Sequence, residues 1–223
     1  MATFFNHMKK TILFDLDGTL IDSTPAILES FKVAFDFYGE MKLDEEKAKS
    51  LIGYTLEDIF LGLGVKQDMV QNYFNVYRDH YKNVYLPKTT LLPYAKQAVM
   101  KAYEFADLGV VTTKSSKFLS PLLNNLEIGK YFSVFVGRND VINPKPNAEP
   151  VELALTKLNK NSPEYKKISF MVGDTPLDTG AAINAGVIPL SLTCGYGTYE
   201  ILSQTNDKIF DNPLEAVLFA EKF

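Results

Sequence analysis

The sequence predicts an α/β fold: a parallel sheet core with helices on both faces, interrupted by an inserted all-helical segment. Three observations carry this. From Tyr94 onward, short apolar runs alternate with helical stretches, the pattern of strand–helix–strand crossovers. The first apolar run, Ile12–Phe14, is short and does not alternate with polar residues, as suits a strand buried on both faces. Residues 21 to about 90 show helical spacing and no strand pattern, so they read as inserted between two halves of one domain.

Thr11 to Leu20 opens the core. Its strand delivers Asp15 and Asp17 and then turns at Gly18. Alternation along a strand sends residues i and i+2 to the same side, so both acids can face one pocket. Neighbouring carboxylates repel, more so out of water, and a metal, a shared proton or a cation must offset that charge. An ordinary strand end with polar turn residues is the plain alternative. The glycine follows Asp17 too closely for a calcium loop.

The inserted segment begins at Ser23-Thr24-Pro25, a capping hydroxyl and then a proline where its missing N–H costs nothing. Ile27, Phe31, Ala34, Phe35 and Tyr38 follow at helical spacing, and Gly39 ends the run. A second helix is expected over Asp44–Leu51, with Gly53 as a breaker and Thr55 capping a third through Leu63. Val70, Tyr73, Phe74, Tyr77, Tyr81 and Val84 form one stripe, the spacing of a buried helix face.

Helices are expected over Ala95–Ala106, Lys117–Leu126 (its beginning disturbed by Pro121) and Asn147–Leu158, and near Pro176–Asn184 and Pro213–Glu221. Strands are expected over Leu108–Val111, Phe132–Val136, Ile168–Val172, Ile188–Leu192 and Lys208–Phe210. Ligands of such sheets sit beyond the carboxyl ends of the strands. There the chain places Thr112-Thr113-Lys114-Ser115 and Gly173-Asp174-Thr175-Pro176-Leu177-Asp178, with Lys145 in a Pro-flanked loop. Asp174 and Asp178, four apart at a helix start, can project to one side. Singly each residue has a plain explanation as a cap or a solvated side chain. Together they put four carboxylates, a hydroxyl and an amine at strand ends of one sheet.

Composition narrows the classes. With 46% apolar and 13% aromatic residues in 223, the chain can fill a sizeable core. A net charge of −4 offers no basic face to nucleic acid. One cysteine, Cys194, permits no internal disulfide and fits a reducing compartment. No apolar run approaches the ~20 residues of a membrane span. Met1–Lys10 has its basic residues after the apolar ones, unlike a secretory signal; we read it as a frayed leader, with Met8 as a second candidate start. A cytoplasmic protein, monomeric or homodimeric, is expected.

Asp15-Leu-Asp17-Gly18-Thr19-Leu20, the apolar run into Thr112, Lys145 and Gly173-Asp174-x-x-x-Asp178 resemble the four ordered motifs of the haloacid-dehalogenase-like hydrolase superfamily. The segment after the first motif resembles the helical cap of its phosphoglycolate-phosphatase-like group. The resemblance implies a Rossmann-like core domain of residues 1–20 and 90–223 and a cap domain of residues 21–89. It also implies a magnesium-dependent phosphatase acting on a small phosphorylated metabolite, with neither nucleic acid nor membrane as a partner. Asp15 would be the nucleophile, forming an aspartyl-phosphate, and Asp17 the general acid and base. Thr112 and Lys145 would hold the phosphoryl oxygens. Asp15, the Asp17 carbonyl and Asp174 would hold Mg2+, with Asp178 supporting. Gly18, Thr113, Tyr54 and Thr55 are the candidate substrate contacts.

Departures from the family pattern refine this expectation. An acid at Asp17 favours phosphoryl transfer over carbon–halogen cleavage. Leu56 stands where sugar-phosphate mutases of the group present an arginine, which weakens a mutase reading. Cys194 replaces a tryptophan and reads as a loop residue, and Ala148 stands where many relatives carry a second proline. Arg78, Lys66, His7 and His80 are expected to have no chemical role. A phosphomutase, an inorganic pyrophosphatase and a catalytically silent module remain as alternatives. A dinucleotide-binding domain is excluded, because no glycine-rich phosphate turn follows the first strand.

Overall fold

Why Asp15 sits at the centre of this molecule follows from strand order. The computed structural model describes residues 8–223; the first seven residues of the expected leader, His7 among them, lie outside these. Strand β1 (Lys10–Phe14) is followed by a two-residue strand β2 (Ile21–Asp22) and four helices: α1 (Thr24–Tyr38), α2 (Glu45–Ser50), α3 (Leu56–Gly62) and α4 (Val70–Val84). Then come β3 (Thr90–Leu91), α5 (Ala95–Tyr103), β4 (Ala106–Val111), α6 (Ser116–Asn125) and β5 (Val134–Val136). The last part comprises α7 (Glu149–Lys157), α8 (Pro163–Lys166), β6 (Ser169–Gly173), α9 (Pro176–Ala185) and β7 (Ile188–Leu192). It closes with α10 (Tyr199–Leu202), β8 (Ile209–Phe210) and α11 (Pro213–Lys222).

Six strands form one parallel sheet in the order β5-β4-β1-β6-β7-β8. Phe14 of β1 pairs with Val110 of β4 on one side and with Val172 of β6 on the other. The three strands therefore end nearly level, and the residues after them meet. This is the point where strand order reverses, the place at which open α/β sheets bind ligands.

Burial on both faces explains the unbroken apolar run. Ile12 and Phe14 point into a layer with Val99, Leu119 and Val217, beneath α5, α6 and α11. Leu13 points the other way, into Val151, Met171 and Ala182 beneath α7 and α9. Alternation holds here, with both sides apolar.

The inserted helices have a core of their own. Phe31 of α1, Phe60 of α3 and Tyr73 and Tyr77 of α4 bury their rings against each other, with Phe31–Phe60 centroids 5.1 Å apart and Phe35–Tyr73 5.3 Å apart. Val70, Tyr73, Tyr77 and Tyr81 of the aromatic stripe are buried in this core, as its spacing indicates, and Phe74 is only partly buried. Gly39 takes a left-handed φ of 65° and ends α1, while Asp44 and Thr55 cap α2 and α3 with their side chains.

Several expectations need correction. The inserted segment is bounded by strand, not only helix: β2 and β3 pair antiparallel, Ile21 with Leu91 and Asp22 with Thr90. Two-residue strands carry no periodicity, so no pattern could announce them. Ser23 does not cap α1; its hydroxyl donates to Asp17 Oδ1, and Asp22 Oδ1 accepts the Thr24 N–H at 2.9 Å instead. Helix α6 runs through Pro121 without a break. The short helices α8 and α10 were not foreseen, being a single turn each.

Candidate active site

Asp15 begins where β1 ends, its N–H donating to Val172 O at 2.8 Å. Asp174 follows β6, and Asp178 lies in the first turn of α9. One carboxylate oxygen from each of Asp15, Asp174 and Asp178 lies within 4.8 Å of the others, and all three residues are buried. Lys145 reaches into this group, its Nζ 2.7 Å from Asp15 Oδ1, 2.5 Å from Asp178 Oδ1 and 3.3 Å from Val111 O.

Each acid is held by further bonds. Asp174 accepts the Thr19 hydroxyl at 2.9 Å and the Tyr196 N–H at 2.8 Å. Asp178 Oδ2 accepts the Thr175 N–H at 3.0 Å and the Thr175 hydroxyl at 2.7 Å. Gly18, at φ 82°, brings the backbone against Asp174, and a side chain there would collide with its carboxylate; so would one at Gly195. The backbone closes around Asp174 because these two positions carry no Cβ.

Charge does not balance in this cluster. If all three carboxylates were ionised they would face one ammonium and leave two negative charges out of water. Burial raises Asp15 to about 7; Lys145 opposes this, and the charge of Asp178 adds to it. Burial also holds Asp174 well above the usual carboxylate value, helped by Asp178 and Asp15. For Lys145 burial pulls downward, but Asp15 and Asp178 together outweigh it and keep the ammonium charged. Buried carboxylates of this kind need a cation. An all-oxygen donor set with a surplus of two negative charges fits a small hard divalent ion.

Asp17 does not join the cluster. Strand β1 stops at Phe14, so strand alternation no longer governs Asp17, and its carboxylate pairs with a different lysine. Its Oδ2 lies 3.1 Å from Lys114 Nζ and its Oδ1 accepts from Ser23. Lys114 in turn donates to the Tyr81 hydroxyl of α4 at 2.7 Å, tying the inserted helices to the strand-end loop. Burial pulls Lys114 downward, and Asp17 with Tyr81 raises it above the ordinary lysine value. The Thr112 hydroxyl is buried and accepts the Lys114 N–H at 3.2 Å. Sequence reasoning passed over Lys114, although it stands in the Thr-Thr-Lys-Ser stretch at a strand end.

A cavity of about 200 Å³ adjoins Asp17 and Lys114 and is lined by Tyr54 and Thr113 among others. Thr113 also donates to Gly53 O at 2.9 Å, a second bridge to the inserted helices. Thr55 lies apart from this lining: its hydroxyl donates to Asp58 Oδ2 at 2.5 Å while accepting the Asp58 N–H. Arg78, expected to be merely solvated, contributes to the cavity wall, and so does Arg138. Cys194 is partly buried and packs in the loop, its thiol pushed up to about 11 by burial, which suits no nucleophile. His80 contacts Ser30 and Glu29 on the inserted helices. Among the described residues no helix is long and apolar enough to cross a membrane.

This architecture is that of an α/β hydrolytic site built at strand ends. The haloacid dehalogenase-like hydrolase model matches residues 12–190, and the chain belongs to that family. It is 30% identical to a phosphoglycolate phosphatase of Salmonella typhi over 226 residues, covering 90% of this chain and 88% of the relative. It is 33% identical to the pyrophosphatase PpaX of Bacillus velezensis over 177 residues, 78% and 79% of the two chains. A solved haloacid dehalogenase-like hydrolase of Streptococcus pneumoniae superposes with a TM-score of 0.82 at 26% identity, covering 95% and 98%.

Proposed function

We propose that this protein is a magnesium-dependent phosphatase that hydrolyses a small phosphate monoester by way of an aspartyl-phosphate on Asp15. The observation that carries the reading is the buried trio of Asp15, Asp174 and Asp178 around a single lysine. The name of the Salmonella relative supports a monoester substrate, and that of the Bacillus relative supports the inorganic pyrophosphatase alternative.

Lys145 occupies Asp15 Oδ1, which leaves Oδ2 to attack phosphorus. The bond from phosphorus to the alcohol oxygen breaks, and Asp17 gives that oxygen its proton. Asp17 then takes a proton from water, the water oxygen attacks phosphorus, and inorganic phosphate leaves with Asp15 restored. Covalent catalysis of this kind divides one slow step into two easier ones. On this reading Lys145, on giving up a present partner, and Thr112 would donate to phosphoryl oxygens, where charge spreads in the transition state. Held by Asp15, Asp174 and the Asp17 carbonyl, with Asp178 supporting, magnesium would neutralise the repulsion between carboxylate and phosphate. Residues 21–89 act as a cap over a core of residues 1–20 and 90–223, hinged at the β2–β3 ribbon, and Gly18, Thr113 and Tyr54 meet the substrate.

The test is phosphate release after metal stripping, across a panel of monoesters and pyrophosphate, with and without MgCl2. Release that requires magnesium is expected. No release from any compound at any magnesium concentration would overturn the reading.

A further inference from the structure

The cavity beside Asp17 has walls of two kinds. Ile27, Leu56, Ile59 and Phe74 of the inserted helices make it apolar on one side, and Phe118 of α6 continues that surface from the core. Apart from the paired Asp17 and Lys114, its charged lining is Arg78, Lys117 and Arg138 against Glu57. The lining is thus largely apolar, and cations outnumber acids among its charged residues.

Arg138 is the best fixed of these cations. Its N–H donates to Lys114 O at 2.9 Å and its Nη1 to Val141 O at 3.1 Å. Gly137 permits this approach, since a Cβ there would strike the Lys114 carbonyl and the Ser116 backbone. A guanidinium has five N–H donors; the Arg138 Nε is buried without a partner among the described residues and is out of a ligand's reach, Nη1 serves Val141 O, and Glu149 lies close enough to feel the charge. A cation anchored by backbone, with Nη hydrogens remaining, is suited to reading a carboxylate or phosphate.

Resting on the phosphatase reading above, we propose that the alcohol half of the substrate carries one apolar ring and, beyond it, an acidic group that meets Arg138. The cavity of about 200 Å³ is smaller than the roughly 300 Å³ at which drug-sized pockets begin, so it suits one ring and not a fused system. A glycolate leaves the apolar wall against water. Pyrophosphate sets a strongly hydrated anion against Leu56, Phe74 and Phe118, which offer it no hydrogen bond. A ring instead removes that wall from water, and aromatic neighbours add edge and face contacts.

The experiment compares kcat/KM, with saturating magnesium, for benzyl phosphate, para-carboxybenzyl phosphate, phosphoglycolate and pyrophosphate. All three esters release an alkyl alcohol, so wall contacts and not phenol-like leaving groups decide their ranking. Both ring esters are expected to exceed phosphoglycolate and pyrophosphate by about tenfold or more, with the carboxylated ring best. In Arg138→Gln the advantage of the carboxylated over the plain ring is expected to fall about tenfold. In Leu56→Arg the preference for ring esters over phosphoglycolate is expected to reverse. A wild-type preference for phosphoglycolate or pyrophosphate, or an Arg138→Gln loss equal on both ring esters, would overturn this proposal and leave the phosphatase reading standing. No phosphate from any of the four would also overturn this proposal, while the full panel above decides the phosphatase reading.

Discussion

The Lys145 ammonium lies 2.7 Å from Asp15 and 2.5 Å from Asp178, one cation against three buried carboxylates. Breaking a buried pair by deleting one partner is far more damaging than never having built it, because the remaining charge is stranded. Lys145→Met is therefore expected to destabilise the metal-free protein by about 3–5 kcal/mol and to lower kcat by ~10²–10³. Denaturant titration with and without MgCl2 checks the first figure, and phosphate release the second. Unchanged stability without metal would mean that the lysine is not neutralising the acids.

The same cluster sets a pH dependence. Asp15 titrates near about 7 when folded, raised chiefly by burial, against ~3.9 in an unfolded chain. Between those values the folded protein holds a proton that the unfolded chain has lost. Its stability therefore falls as pH rises through that window. Asp174, also raised, acts in the same direction. Metal-free protein is expected to melt at a higher temperature at pH 5 than at pH 7.5, and added magnesium to help more at pH 7.5. Melting curves at the two pH values, stripped and loaded, decide this; a stability that rises with pH in the stripped protein would contradict it.

Asp15→Asn separates chemistry from charge. It removes the attacking oxygen, and turnover is expected to drop by ~10⁴–10⁶. It also removes a carboxylate that is costly to ionise, so the metal-free variant should melt no lower than wild type at pH 7.5. Activity above about 1% with an intact fold would refute the nucleophile role.

Lys114 ties Asp17 to Tyr81 across the two parts of the molecule. Lys114→Met is expected to lower kcat by ~10–10² by freeing Asp17 from its working position. Tyr81→Phe, which loses a single hydrogen bond, should lower it by less than about tenfold. Steady-state kinetics on one substrate distinguishes these, since a fall confined to KM would place Lys114 in binding alone.

Phe60 is fully buried among Phe31, Phe35, Tyr73 and Tyr77. Phe60→Ala is expected to cost about 3–5 kcal/mol, by a cavity that rigid neighbouring rings cannot fill. Thermal or denaturant unfolding reads this directly; a loss below about 1 kcal/mol would mean that the inserted helices collapse around the gap.

Much of this was legible in one dimension. The strand Ile12–Phe14, the aromatic stripe of α4 and the caps at Asp44 and Thr55 are local: side-chain period and capping chemistry write them directly into the chain. The acids and Lys145 were legible as residue types at strand ends. Their partners were not. That Lys145 pairs with Asp15 and Asp178 and that Lys114 pairs with Asp17 depend on contacts between distant stretches; that Ser23 reaches back six residues to Asp17 depends on how the turn between them folds.

Sequence by itself determined the alternation of elements, the helical insert and the supply of carboxylates at strand ends, because each follows from spacing along one strand or helix. Tertiary structure alone decided which of four acids share a cation. Strand order β4-β1-β6 brings Asp15 and Asp174 together, while Asp17, beyond the end of β1, falls under the control of Lys114. Electrostatic pairing depends on through-space distance in a dry interior, and that distance exists only once the sheet has formed.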